Sequence, residues 1–189
     1  MRPRSLAGDN RASQILEFAL VLPLLAVVAV GVFDFGQAFS TRQRLNFAAR
    51  DAARFGSSQP TTDLSGSTPL SVSSIRDLVD ADLNSAGLND CGLSSIQPSG
   101  TLTWTATGTC PNSTTLTVTI TRGFIAPETS QPGIPVPGTS ETLRLISTHV
   151  FLSYPYAWHF NRVIQLLVPE ATYAAVSQIE VDAVAPNQD

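Results

Sequence analysis

The chain opens with a long apolar run that has a single carboxylate at each end. No charged residue lies between Glu17 and Asp34, and this uncharged stretch of 16 residues would span about 24 Å as an α-helix. A bilayer core is about 30 Å thick, so the helix crosses it only if apolar residues beyond both carboxylates are included. The pattern therefore predicts a membrane helix with one carboxylate near each rim.

The helical pattern continues past the apolar run. Between Ser13 and Phe55 it is interrupted only at Pro23, which removes a backbone donor, a loss that membrane helices tolerate. Beyond Asp34 the pattern becomes amphipathic and has an Ala-rich side, which would let a second helix or a sheet approach closely. Gly56 is a typical helix stop.

The remainder of the chain shows shorter elements. A Ser/Thr/Pro/Gly-rich stretch at 57–71 predicts a linker. Ser74 with Asp77 three residues later predicts the start of a short helix that Gly87 ends. At 115–121, apolar side chains alternate with threonines, which predicts a strand with one wet face. Further strands are predicted at 101–107, 143–153 and 172–181, a second short helix at 157–167, and an exposed connection at 126–140.

Together these elements predict an α+β protein. We expect a cytoplasmic tail over 1–12, a membrane and amphipathic helix over 13–56, and an extracytoplasmic domain with a small antiparallel sheet over 57–189. A chain of 189 residues has room for one such helix and one modest domain.

Charge is distributed unevenly along the chain. Residues 1–56 carry a net charge of +3, whereas residues 57–189 carry −7. A basic, apolar beginning followed by an acidic remainder is typical of a membrane anchor joined to an outer domain. The acidic remainder also argues against binding of nucleic acid.

Cys91 and Cys110 have neither the spacing nor a nearby histidine that a zinc site would require. A disulfide is the simpler interpretation, and such bonds persist mainly in oxidising compartments. This favours an extracytoplasmic location for the domain, with two buried free thiols in a reducing compartment as the alternative.

Arginines flank the apolar run on both sides and therefore do not decide its orientation. The acidic, cysteine-containing remainder favours a cytoplasmic N terminus and an outer C-terminal domain. A rival hypothesis is a signal peptide cut after Ala38, at the small residues Gly36 and Ala38, which would release a soluble secreted domain.

No sequence motif indicates an enzyme. The chain lacks a phosphate-binding glycine loop, a nucleophile elbow and a zinc-protease motif, so we expect neither catalysis nor a cofactor. His149 and His159 are interpreted as structural or surface residues. Asp77, Asp80 and Asp82 are interpreted as a solvated helix face and not as a metal site.

Glu17 is a carboxylate inside the apolar beginning of the predicted membrane helix, and this position requires an explanation. It could be an interfacial carboxylate favoured by the positive end of the helix dipole, by about 0.3–1 kcal/mol. It could instead be an intramembrane charge kept to pair with a partner, because an unpaired carboxylate in lipid costs at least about 2.5 kcal/mol.

The residues around Glu17 carry a family resemblance. The stretch 11–23, Arg-Ala-Ser-Gln-Ile-Leu-Glu-Phe-Ala-Leu-Val-Leu-Pro, resembles the N-terminal signature of the TadE-like family, the minor pseudopilins of tight-adherence (Flp-type) pilus systems. The Asp-Phe-Gly step at 34–36 and the Ala/Arg-rich stretch at 48–54 are similar to that family as well.

The resemblance implies a pilin-like role in a bacterial cytoplasmic membrane. A prepilin peptidase would cut between Ala12 and Ser13, so that Ser13 becomes the mature N terminus and Glu17 can pair with the new amine of a neighbouring subunit. Ala12 stands where the family usually has Gly, and an uncleaved single-pass anchor is the alternative outcome. The implied partners are other pilin-like subunits, an inner-membrane platform and an ATPase-driven assembly complex.

Overall fold

A computed structural model describes residues 10–127, 133–135, 137, 142–159 and 176–188. The chain divides into two compact units, one made of 1–38 and 157–175 and the other of 39–156 and 176–189. The architecture is α+β, a long apolar N-terminal helix followed by a small antiparallel sheet domain, as the sequence predicts.

The first helix, α1, spans Asn10–Ser57 without a break and contains Pro23 in its interior. The continuous helix predicted from Ser13 to Phe55 is therefore confirmed, and it ends one residue beyond Gly56. Helix α1 carries the apolar run within the first unit and the Ala-rich face within the second.

The second unit is built on a five-stranded sheet in the order β1-β2-β3-β6-β7. Neighbouring strands from β1 to β6 pair antiparallel. Cross-strand contacts join His149 to Asp182 and Ser153 to Gln178, so β6 and β7 also run in opposite directions. A separate two-stranded pair is formed by β4 and β5. The strands are β1 Gln97–Gly100, β2 Thr103–Cys110, β3 Thr114–Ala126, β4 Ile134–Pro135, β5 Thr142–Leu143, β6 Leu145–Ala157 and β7 Val176–Pro186.

The two faces of the sheet differ, as the alternation at 115–121 predicts. Leu116, Val118 and Ile120 of β3 are fully buried, and the threonines between them are only half-buried. On the wet face, Thr103 and Thr121 share a hydrogen bond between their hydroxyl groups. The hydroxyl groups of the threonine face can form their hydrogen bonds with water as well. Only the face with the buried apolar side chains forms the core.

Both helices cover the buried face of the sheet. The Ala-rich side of α1 and the apolar stripe of α2, which spans Leu70–Ser85, join the strands in one core. Small side chains let α1 lie close to its neighbours, which confirms the close approach predicted for this face. The helix residues of this core are Leu45, Ala49, Ala52, Ala53, Val72, Ile75, Val79 and Leu83.

The predicted start of the second helix is wrong by four residues. The pair Ser74 and Asp77 was expected to cap it, but α2 begins at Leu70, and the Ser74 hydroxyl donates to the Leu70 carbonyl inside the first turn. The group that satisfies the helix start comes from the preceding loop, because the Asp63 carboxylate accepts hydrogen bonds from both the backbone N–H and the hydroxyl of Ser71. Gly87, at φ +70°, ends the helix as predicted.

The boundaries of the later strands also differ from the prediction. Strand β6 extends to Ala157, four residues beyond the predicted 143–153, and β7 continues to Pro186 instead of ending at 181. The predicted helix at 157–167 is wrong where the structure describes it, since Ala157 belongs to β6 and residues 158 and 159 are not helical. Residues 160–167 lie outside the described residues. Strand β1 was missed because its four residues are all exposed and show no alternation.

Two side chains of the sheet hold the loop between the helices. Trp104 Nε1 donates to the Ser67 carbonyl at 3.2 Å, and Arg122 Nη2 donates to the Gln59 carbonyl at 2.8 Å. Arg122 is buried on the core side of β3, an unusual place for a guanidinium, and its positive charge also acts on Asp63. This loop is therefore an ordered part of the domain and not the free linker that its composition indicates.

We predict that Gly56→Ala destabilises the domain by about 1–3 kcal/mol. A Cβ at this position would lie 2.7 Å from Thr148 Cγ2 and 2.8 Å from Ile75 Cδ1, so β6 or α2 would have to move. The measurement is thermal unfolding of the full-length chain in detergent. Gly36→Ala is the matched control on the same helix, because nothing lies within 4 Å of its added Cβ; equal melting temperatures for the two variants would contradict the prediction.

We predict that Asp63→Ala destabilises the domain by about 0.5–2 kcal/mol, because α2 loses its cap. Partial burial alone would raise the pKa of the Asp63 carboxyl group, but the hydrogen bonds from Ser71 and the charge of Arg122 outweigh burial and lower the pKa below its usual 3.8.

The lowered pKa sets the pH dependence of this effect. A carboxyl group with a depressed folded-state pKa stabilises the protein fully above its unfolded-state pKa of about 3.9, and the contribution is lost as the pH falls through the folded-state pKa. The difference in melting temperature between the native chain and Asp63→Ala should therefore be constant near neutral pH and shrink in acid. Asp77→Ala, which removes an exposed carboxylate of α2, should change stability by less than about 1 kcal/mol near neutral pH.

Candidate assembly surface on the N-terminal helix

The first half of α1 presents large apolar side chains outward. Leu20 is 73% exposed and Phe33 is 72% exposed. The most apolar 18-residue window of the helix has a mean hydropathy of 2.6, and none of it is buried within the chain. Burial of apolar surface contributes about 25 cal/mol per Å², so contact with lipid or with another protein would stabilise this surface. The helix is long and apolar enough to cross a membrane.

Glu17 interrupts this apolar surface. Its side chain is exposed, and it makes no hydrogen bond or ion pair with any residue that the structure describes. Because α1 begins at Asn10, Glu17 lies about two turns into the helix. The dipole effect falls off within the first turn, so in the unprocessed helix it does little to offset the desolvation of this carboxylate.

The second carboxylate of the apolar run has a different environment. Asp34 is 3% exposed, and its Oδ1 lies 3.3 Å from Nδ1 of His159, within the same compact unit. Beside this contact, the rings of Phe35 and Trp158 meet edge to face with centroids 5.2 Å apart. Asp34 therefore has a partner within the chain.

The Asp34–His159 contact was missed by the sequence interpretation, which placed His159 among structural or surface residues. The only signal in the sequence was that each of the two residues has aromatic neighbours in the chain. A single sequence does not reveal a contact between positions 125 residues apart. His149 has its own carboxylate, Asp182, at 3.6 Å, and packs against the ring of Phe124.

The residues of the expected processing site lie inside α1. Ala12 and Ser13 follow Asn10 within the first turn of the helix. Helix ends fray readily, so a peptidase that cuts before Ser13 would have to unwind only this first turn. The Ser13 side chain is exposed.

The structure joins Cys91 and Cys110 in a disulfide with a Cα–Cα distance of 4.5 Å. The bond ties the segment after α2 to the end of β2. Gly108 permits this approach, because a Cβ at Gly108 would lie 2.8 Å from the Cys91 carbonyl oxygen.

The acidic residues of α2 do not converge on one point. Burial raises the pKa of Asp80, and a hydrogen bond and the negative charge of Asp90 raise it further. The pKa of Asp82 is raised by burial and by the charge of Asp51 on α1. Within the described part of the chain, no group of three or more His, Cys, Asp or Glu side chains could hold a metal ion.

Comparison with known proteins gives a family match for the helix and not for the rest of the chain. The family model described as TadE-like protein matches residues 12–54, which confirms the resemblance seen in the sequence. The matched segment contains both Glu17 and Asp34, together with the Ala-rich face. No curated protein and no solved structure matches the chain.

Proposed function

We propose that this chain, whose N-terminal helix is TadE-like, is a non-enzymatic minor pilin-like component or assembly factor of a tight-adherence pilus. It is anchored in the cytoplasmic membrane by α1, with its N terminus in the cytoplasm and its sheet domain outside. Glu17 aligns neighbouring subunits, and the apolar surface of α1 provides their lateral packing.

The contrast between Glu17 and Asp34 carries this proposal. Glu17 and Asp34 lie at the two ends of the same apolar run, but only Asp34 has a described partner within the chain. A carboxylate kept in lipid without a partner costs at least about 2.5 kcal/mol, so the partner of Glu17 is expected on another molecule. A positively charged amine on a neighbouring subunit has the required charge.

Processing before Ser13 would supply such an amine. A cut between Ala12 and Ser13 leaves an α-amino group at the start of the apolar helix and makes Glu17 the fifth residue of the mature chain. It also brings Glu17 nearer to the new helix N terminus, where the dipole favours a negative charge. The family match begins at residue 12, next to this bond.

One observation favours a second candidate, a secreted domain released by a signal peptidase near Ala38. The second compact unit begins at Phe39, so a cut after Ala38 would leave the Ala-rich end of α1 within the sheet domain. Against this candidate, α1 is continuous through Gly36 and Ala38, whereas a signal peptidase acts on a segment that is not held in a helix.

N-terminal sequencing of the protein purified from its native host distinguishes these cases. We expect Ser13 as the first residue, because pilin-like processing creates the amine that Glu17 requires. Phe39 as the first residue would contradict the proposal and identify a secreted domain. An intact N terminus would identify an uncleaved anchor, whose Glu17 needs a different cation.

We predict that Glu17→Ala inserts into the membrane and folds normally but reduces pilus assembly by at least about tenfold. The estimate follows because each 1.4 kcal/mol is tenfold in an equilibrium constant, and an unpaired charge in lipid costs more than that. The measurement is the amount of surface pilus, normalised to the amount of membrane-bound protein.

Gln37→Ala is the matched control, since it removes an exposed polar side chain from the same helix outside the apolar run. Normal piliation in the Glu17→Ala strain would remove the special role of the carboxylate. Loss of piliation in both strains would show that α1 is sensitive to any polar change.

A further inference from the structure

The second compact unit has a basic groove between the end of α1 and the last strand of the sheet. We define the basic groove by Arg50, Arg54 and Ser57 on one wall and by residues 183–186 and Gln188 on the other; its volume is about 570 Å³. Arg50, Arg54 and Ser57 lie on one side of α1, since they are spaced four and three residues apart. The groove is open to solvent along an edge of the sheet.

The two arginines of the basic groove have no polar partner among the residues that the structure describes. Their side chains are exposed and make no hydrogen bond or ion pair with any described residue. Other arginines of this unit are engaged: Arg44 donates to the Ala86 carbonyl, and Arg76 pairs with Asp77. Two adjacent unpaired guanidinium groups beside an open strand edge form a surface suited to carboxylates.

The same unit carries a surface of the opposite charge. On α2, Ile75, Val79 and Leu83 face the core. Asp77 therefore lies on the exposed outward side and Asp80 at its half-buried edge, and we call these two residues the acidic face. Asp80 is close to Asp90, which adds negative charge beside it. Arg76 already pairs with Asp77, so the excess negative charge of the acidic face comes from Asp80 and Asp90.

One molecule cannot bring its own two surfaces together. Arg44 reaches the carbonyl at the end of α2, and Gly56 lies against Ile75 of α2, so α2 packs on the side of α1 that carries Arg44 and Gly56. The basic groove lies on a different side, between α1 and β7. Any pairing of the two surfaces must join separate molecules.

The spacing of the charges on the two surfaces matches. Arg50 and Arg54 are one turn apart on α1, and Asp77 and Asp80 are three residues apart on α2, so each pair is separated by about 5–6 Å between Cβ atoms. Two charge pairs can therefore form at once if α2 of one molecule lies along α1 of another.

We propose that the basic groove of one molecule binds the acidic face of a second copy of this chain. The contact is head-to-tail, because the two surfaces differ and lie on different sides of the domain. Such heterologous contacts do not close on themselves unless the rotation forms a ring, so they build rows of molecules. This contact goes beyond the membrane pairing of Glu17 and does not require it.

The test measures self-association of the full-length chain in detergent by analytical ultracentrifugation at low and high salt. We expect the native chain to form assemblies larger than dimers that dissociate as salt is added, since exposed charge pairs are screened. The double variant Arg50→Glu/Arg54→Glu should weaken association at least about tenfold. The variant Asp77→Arg/Asp80→Arg should weaken it similarly.

Mixing the two variants provides the decisive measurement. In the mixture, the carboxylates of the reversed groove face the guanidinium groups of the reversed acidic face, and the native groove of the second variant faces the native acidic face of the first. Every contact between unlike variants is therefore complementary, whereas contacts between like variants are repulsive. We expect the mixture to recover assemblies larger than dimers, in which the two variants alternate in equal amounts. A single chain with all four substitutions should again form the larger assemblies.

Controls separate this contact from general charge effects and from the membrane pairing. Arg42→Glu/Arg144→Glu changes the net charge by the same amount outside the groove and should associate like the native chain. Glu17→Ala should retain the salt-sensitive association, so this variant distinguishes a failure of the membrane pairing from a failure of the groove contact.

Three results would overturn the proposal. The native chain could remain monomeric at low salt, or the groove variant could associate as strongly as the native chain. The mixture could also fail to form mixed assemblies although both variants unfold at the native temperature, which would assign the groove to a different occupant, such as an acidic strand added to β7.

Discussion

The structure depends on a single helix that must satisfy two different surroundings. Its first part exposes leucines and phenylalanines and buries none of its most apolar window, whereas its last part buries alanines against a sheet. The change is made by the side chains, because the backbone remains helical from Asn10 to Ser57. Large side chains maximise the apolar area offered to lipid or to a partner, and small ones let the domain pack closely.

The close packing at the end of α1 leaves no room for a larger side chain there. Gly56 faces Thr148 of β6 and Ile75 of α2 at distances that leave no room for a Cβ. The chain then turns into a loop held by Trp104, by Arg122 and by the cap on α2. The helix end, the loop and the second helix are thus coupled through the same few contacts, and the basic groove is framed by this rigid corner.

The sequence predicted the elements with strong periodicity and missed those that depend on distant contacts. The long helix, the wet face of β3 and the stop at Gly87 follow from local patterns, and each was found. The start of α2 was wrong because Ser74 has a local capping signature, while the actual cap, Asp63, lies eight residues before Ser71. A local motif does not reveal that a loop folds back.

Contacts between residues distant in sequence also limited what could be predicted of the candidate site. Glu17 was identified because a charged residue next to a long apolar run can be recognised from the sequence alone. The partner of Asp34 was not, because His159 lies 125 residues away in sequence. Arg122 resembled any surface arginine at the end of a strand, yet it is 1% exposed, since the alternation of β3 continues inward past Ile120. The basic groove likewise needs β7 to be placed beside α1 before its two arginines share a surface with a strand edge.

The two proposed contacts differ in their physics, and this difference decides what each can do. A carboxylate paired in lipid is shielded from salt and becomes costly when its partner leaves, so the Glu17 contact is suited to holding subunits in a fixed register. Arginine and aspartate pairs at a solvent-exposed groove are weak individually and are screened beyond about 8 Å at physiological ionic strength. They contribute orientation and encounter rate more than affinity. Membrane pairing and outer-domain contact would therefore act in sequence, the groove bringing two domains into alignment and the buried carboxylate then retaining them.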